Sequence, residues 1–141
     1  MTQHPRPTTK LGRQGVAAVE LAIVLPLIMF LLLAATDFAR VFYYSITITN
    51  CARNGAIHGC DPVVASQSPF TSVQDAALAD AANLNGNATV TSKTVSDESG
   101  DYIEVTVNYT FQTISNYPGI PNSIPLSRTV RMRSVSTVPK F

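Results

Sequence analysis

From Val16 to Thr36 the chain reads VAAVELAIVLPLIMFLLLAAT, in which Glu20 is the only charge and Pro26 the only strong helix breaker. Apolar residues on every side mark a helix with no wet face. At ~1.5 Å per residue this run makes a helix of about 30 Å, the thickness of a bilayer's hydrocarbon core. The rest of the chain is too small to wrap so apolar a rod, so a membrane-spanning helix over residues 16–36 is the expectation. Beyond it the pattern narrows to one face, with Phe38, Val41, Phe42, Ser45, Thr49, Ala52 and Ala56 recurring at three- and four-residue spacing. Cys51, Gly55 and Gly59 add a row of small residues that permits close backbone approach. The helix is therefore expected to run to about Ile57, on the order of 60 Å in all.

The period then changes. Residues 61–70 read as a Pro- and Ser-containing connection, and Ser72 with Asp75 three later reads as a helix start before VQDAALADAANLN, which Gly86 ends. ATVTSKTV, a polar turn from Ser96 to Asp101, and YIEVTVNYTF follow. In the last of these Ile103, Val105, Val107, Tyr109 and Phe111 alternate with polar residues, the mark of a half-buried strand. A Pro-rich loop from Tyr117 to Pro125 leads to a third strand in LSRTVRMRSVSTV. The expected class is α+β: a long hydrophobic helix continuing into a spine, with an antiparallel sheet of about three strands and a short helix packed on it. Four segments follow: a leader over 1–15, the spanning helix over 16–36, its extension over 37–60, and a head over 61–141.

Charge adds orientation. Only 13% of the 141 residues are charged, against ~25% in an ordinary soluble chain, and the formal net charge is +1. So even a balance argues against a nucleic-acid surface. The distribution is uneven: Arg6, Lys10 and Arg13 precede the apolar run with no acid, whereas Asp37 opens its far side. The positive-inside rule places the amino terminus in the cytoplasm and residues 37–141 outside it. Removing residues 1–15 would take the formal charge from +1 to −2. A secretory signal with Ala34-Ala35-Thr36 as its cleavage site is the rival reading, but such signals have apolar stretches of ~7–15 residues.

Glu20 is the residue that asks for chemistry. A carboxylate at bilayer depth costs ~2.5–3.5 kcal/mol on insertion scales, unless it snorkels to water or finds a partner. If the bond between Gly15 and Val16 were cut, the new Val16 amine and Glu20 would lie at i and i+4 on one helical face and neutralise one another. Pro26 lacks an N–H and crowds the carbonyl of Ala22, so a kink is expected there. Asp37 and Arg40, three apart, are placed to pair. Cys51 and Cys60 both fall outside the cytoplasm under this topology, where a disulfide can form if the helix ends by about Ile57; two free or intermolecular cysteines are the alternative.

No enzyme is read. Asp97, Glu98 and Asp101 cluster in a hairpin turn, His4 and His58 stand apart, and no phosphate loop, nucleophile elbow or zinc signature occurs. No cofactor, metal or small-molecule substrate is expected. Arg128, Arg131, Arg133 and Lys140 read as a solvated strand face, or as an electrostatic contact with another subunit or an anionic surface.

The run RQGVAAVELAIVLPLIMFLLLAATDFARVFYYSITITNCARNGA resembles the TadE-like family, minor pilins or pseudopilins of tight-adherence (Flp-type) pilus systems. Gly15, Glu20, Leu21, Pro26, Asp37-Phe38-Ala39-Arg40, Phe42, Tyr43 and Asn50 to Ala56 carry it. The resemblance implies cleavage after Gly15 by a prepilin peptidase and entry into a pilus built with other pilin subunits, so that this protein is the peptidase's substrate and a contributor to adhesion. Val16 stands where type IV pilins often have Phe, Cys51 where Ala is common and Asn54 where Glu is frequent. The rival function is a non-polymerising single-pass membrane protein whose outer domain binds another envelope component.

Overall fold

The computed structural model describes residues 11–84, 86–114 and 121–135, with side chains from residue 15 onward. Arg6 and Lys10 of the leader, Tyr117 to Ile120 of the proline-rich loop, and Lys140 lie outside the described residues. The chain divides into two units, residues 1–36 and 37–141. The elements are helix α1 (Leu11–Cys60), α2 (Pro62–Gln67), α3 (Val73–Leu78), and strands β1 (Thr89–Asp97), β2 (Gly100–Gln112) and β3 (Ser123–Arg133). This is an α+β chain: a long apolar helix, short helices, and one antiparallel sheet in the order β1-β2-β3.

In the first unit α1 presents its large apolar side chains outward, including Leu21, Ile23, Leu27, Leu31 and Leu32. Each of these five is at least 57% exposed, as the all-round apolar pattern requires of a helix solvated by hydrocarbon. Pro26 sits within the helix.

In the second unit the sheet lays one face on α1. Ile103, Val105, Val107, Tyr109 and Phe111 are buried together with Ile48, Cys51, Ala52, Ala56 and Leu84. Large strand residues meet small helix residues, which is why the two layers approach closely. A methyl group added at Gly55 would stand 3.0 Å from Ala77 Cβ and 3.2 Å from Val105 Cγ1. One at Gly59 would overlap Ile103 Cδ1. The small-residue row is thus the seam between α1, α3 and β2. The opposite sheet face is polar, with Lys93 and Glu104 paired at 2.9 Å and the Thr106 and Thr129 hydroxyls 2.8 Å apart.

Four expectations need correction. The buried stripe of α1 runs through Asp37, Val41, Tyr44, Ile48, Cys51, Ala52, Gly55, Ala56 and Gly59, and Phe38 and Phe42 are 80% and 69% exposed. At ~100° per residue it is turned by roughly 70° from the expected face, because the bulky sheet selects small side chains rather than hydrophobic ones. Secondly, α1 continues to Cys60, the limit of the 37–60 extension, and does not stop by Ile57 as a bridge would require. Cys51 and Cys60 then lie ~13 Å apart along one helix and cannot bond. Both are free thiols, and Cys60 Sγ donates to the Ile57 carbonyl at 3.3 Å.

Thirdly, the connection after Cys60 contains a helix. Asp61 caps α2 by accepting from Val63 N–H at 2.8 Å, with Pro62 at the first position, where its missing N–H costs nothing. Ser72 caps α3 through Asp75 N–H at 3.0 Å as expected, but α3 stops at Leu78 and only a single turn, Ala82–Leu84, follows. Fourthly, β3 starts at Ser123, so Pro125 lies within it. An edge strand tolerates a proline because alternate N–H groups face away from the ladder.

Candidate functional site

The candidate processing segment lies on α1. Gly15 is exposed, four residues past the first helical residue Leu11, and a side chain there would meet nothing within 4 Å. Val16 and Glu20 follow at i and i+4 on the same exposed helix. Glu20 makes no hydrogen bond or ion pair among the described residues, so its carboxylate stands open to a partner from outside the chain.

Two main-chain ties hold the second unit's part of α1 to the sheet. Asp37 Oδ1 accepts from Arg40 Nη1 at 3.1 Å, the expected pair, and also from the N–H of Ile114, just past β2, at 3.1 Å. The second bond was not legible, because it joins positions 77 residues apart. It explains why Asp37 is 8% exposed although it opens the polar part of the chain. Arg40 in turn lies 4.9 Å above the Phe111 ring, a cation–π contact. At the other end Val135 N–H donates to the Cys60 carbonyl at 2.7 Å, which satisfies one of the orphan acceptors of the α1 terminus.

Next to Arg40 is a cavity of about 490 Å³ lined by Arg40, Tyr44, Asn87, Tyr109, Thr110 and Gln112. The Tyr44 ring is 5.2 Å from that of Tyr109 and 5.5 Å from that of Phe111, so this wall is packed from behind. Burial, with Tyr44 beside it, pushes the Tyr109 hydroxyl above its ordinary pKa and keeps it a neutral hydrogen-bonding group. Tyr44, Tyr109 and Asn87 were not read as site residues; Tyr44 at i+3 from Val41 and i−4 from Ile48 was the available signal.

A second cavity, of about 340 Å³, lies among α1, α2 and α3 beside Ile57, His58, Phe70 and Asp80. His58 Nε2 donates to the Phe70 carbonyl at 3.1 Å, and Asn54 Nδ2 donates to Asp80 at 2.7 Å. Among the described residues no three His, Cys, Asp or Glu side chains are placed to share a metal ion.

The carboxylates of the β1–β2 turn are engaged with their neighbours. Asp97 accepts from Ser99 N–H at 2.8 Å and pairs with Arg131, and these contacts hold its carboxyl below the usual range. Arg131 also covers the Tyr102 ring at 4.1 Å. Asp101 accepts from the Ser96 hydroxyl at 2.7 Å. Arg128 points inward to Ser45 Oγ at 2.7 Å, whereas Arg131 and Arg133 stay on the outer face.

Among the described residues one helix is long and apolar enough to cross a membrane, which supports anchoring by a single pass. The segment with the processing-type spacing is also the one that finds a family: residues 15–56 match the model described as TadE-like protein. The match covers the apolar helix and most of its extension and none of residues 61–141. No curated protein and no solved structure matches the chain.

Proposed function

We propose that this protein is a minor pilin or pseudopilin of a tight-adherence pilus system, inserted with its amino terminus in the cytoplasm and its head outside, and cut after Gly15 by a prepilin peptidase. The observation that carries the reading is the pairing of an open Gly15 with an unpartnered Glu20 on one apolar helix, within the family match. A peptidase needs extended backbone. Glycine costs ~1 kcal/mol against alanine inside a helix, and Gly15 stands one turn from the start of α1 at Leu11, so opening the helix there costs little. Cleavage leaves the Val16 amine one turn from Glu20. The two charges offset one another, within a subunit or between neighbours, as the helix leaves lipid for an apolar fibre core. Pro26, whose ring leaves the Ala22 carbonyl without its helical donor, allows a bend or local melting on packing. The head contributes to contacts with other subunits and to surface adhesion.

Intact-mass measurement of protein from native membranes tests the processing step: the expected new amino terminus is Val16. Residues 1–15 retained beside an active prepilin peptidase would refute it and favour a stable single-pass protein that binds another envelope component. Glu20→Ala is expected to insert and be processed normally yet to assemble at least tenfold less, and normal assembly would remove the neutralisation step.

A further inference from the structure

The β1–β2 ladder is shorter than the strand it serves. β1 begins at Thr89, opposite Asn108, while β2 continues to Gln112 and stays paired with β3 as far as Ser123. The register tells which groups face the gap. Asp97 and Gly100 close the hairpin around a two-residue turn, and a closing pair exchanges main-chain bonds. From there, even-numbered residues of β2 turn their N–H and C=O toward β1 and odd-numbered ones toward β3. Two bonds on the other side agree: Ser134 N–H to the Asp101 carbonyl at 2.8 Å, and Thr113 N–H to the Asn122 carbonyl at 3.1 Å.

Thr110 and Gln112 therefore present their main-chain groups to a notch in the sheet edge. Continued backward, β1 would place residue 87 opposite Thr110, but Gly86 at φ 71° turns the chain away and commits Asn87 N–H to the Leu84 carbonyl at 3.1 Å. Among the described residues nothing bonds the edge groups of Thr110 and Gln112. The notch opens on the 490 Å³ cavity, which Thr110 and Gln112 line together with Arg40, Tyr44, Asn87 and Tyr109.

We propose that this notch is a strand-addition site: an extended segment of a partner polypeptide lies along β2 and exchanges main-chain hydrogen bonds with Thr110 and Gln112. Successive edge groups repeat every two residues, ~6.8 Å, which is the spacing of a peptide backbone and of no lipid or sugar. One inward side chain of the partner enters the cavity. Arg40, Asn87 and the tyrosine hydroxyls favour a carboxylate or amide there. The site does not depend on cleavage after Gly15, since a stable membrane protein would hold an envelope partner in the same way.

The test uses the full-length protein in its native membranes, with a photo-crosslinking benzoylphenylalanine at Asn87 in the notch or at Thr91 on the outer sheet face. A polypeptide adduct identified by mass spectrometry is expected at 87 and not at 91. Gln112→Pro, which deletes the N–H in the notch and leaves the β3 ladder whole, is expected to reduce that adduct at least tenfold, and Gln112→Ala to retain it. Lipid adducts alone, no adduct, or an adduct undiminished in Gln112→Pro would overturn the proposal. Should Gln112→Pro fail to fold, amide exchange of the unmodified chain decides. Thr110 and Gln112 are expected to exchange at least tenfold more slowly in membranes than in detergent, and equal rates would overturn it. Intact mass on the same samples reports Gly15 cleavage separately.

Discussion

Gly55→Ala probes the seam on which the head depends. The added methyl would lie 3.0 Å from Ala77 Cβ, 3.2 Å from Val105 Cγ1 and 3.2 Å from the Val73 carbonyl oxygen, where ~3.5–4.0 Å is the comfortable separation between carbons. Neither Ala77 Cβ nor the Val73 carbonyl can rotate away, so α3 must retreat from α1. Overpacking of this kind costs about 1–3 kcal/mol, and better helix propensity returns ~1 kcal/mol, leaving a net destabilisation of about 1 kcal/mol. For a head of this size that lowers Tm by roughly 4–8 °C. Gly59→Ala collides with Ile103 Cδ1, the free end of a flexible side chain that can swing aside, so it should cost less. Gly15→Ala, in open space, should cost the head nothing. The assay is thermal unfolding of the full-length protein in detergent, followed by near-ultraviolet circular dichroism. A Gly55→Ala protein as stable as the unmodified one, or less harmed than Gly59→Ala, would refute the close-packed seam.

Two further outcomes follow from the core. Phe111→Ala empties a fully buried position beneath Tyr44 and Arg40 and is expected to cost about 3–5 kcal/mol in denaturant unfolding, enough to leave the head largely unfolded if its stability is ordinary. Thiol titration should find two free cysteines, Cys60 reacting in the folded protein and buried Cys51 only after unfolding. Burial raises the Cys51 pKa above its ordinary value of 9.0, so the folded state holds its proton longer than the unfolded chain does. The stability from that difference is complete below the unfolded pKa and falls as pH rises past about 9, a decline that Cys51→Ser should reduce.

Much of this architecture was legible because it is local. The apolar run that forms the first unit of α1 needs no partner to be recognised, since its whole circumference is hydrophobic. The alternation from Ile103 to Phe111 marks a strand with one buried face, and Ser72 followed by Asp75 marks a cap. Asp61-Pro62, a cap followed by proline at the first helical position, is an equally local signal for α2 inside the segment that reads as a connection. The candidate processing residues Gly15, Val16 and Glu20 rest on the resemblance to the TadE-like family, with their placement one turn apart on a single helix beside it.

The sequence by itself determined that there is a long helix apolar on every side, where charge changes along the chain, and which strands alternate, because each is set by residues within a few positions of one another. Only the tertiary structure decided which side of α1 the sheet covers, since Phe38 and Phe42 are more hydrophobic than Gly55 and Gly59 yet cannot fit against Ile103 and Val105. It also decided that Asp37 is tied to Ile114, that Cys51 and Cys60 stay apart on one unbroken helix, and that β2 outruns β1 by Thr110 and Gln112. These are long-range facts. They depend on how closely two layers pack and where a ladder stops, which no local pattern encodes.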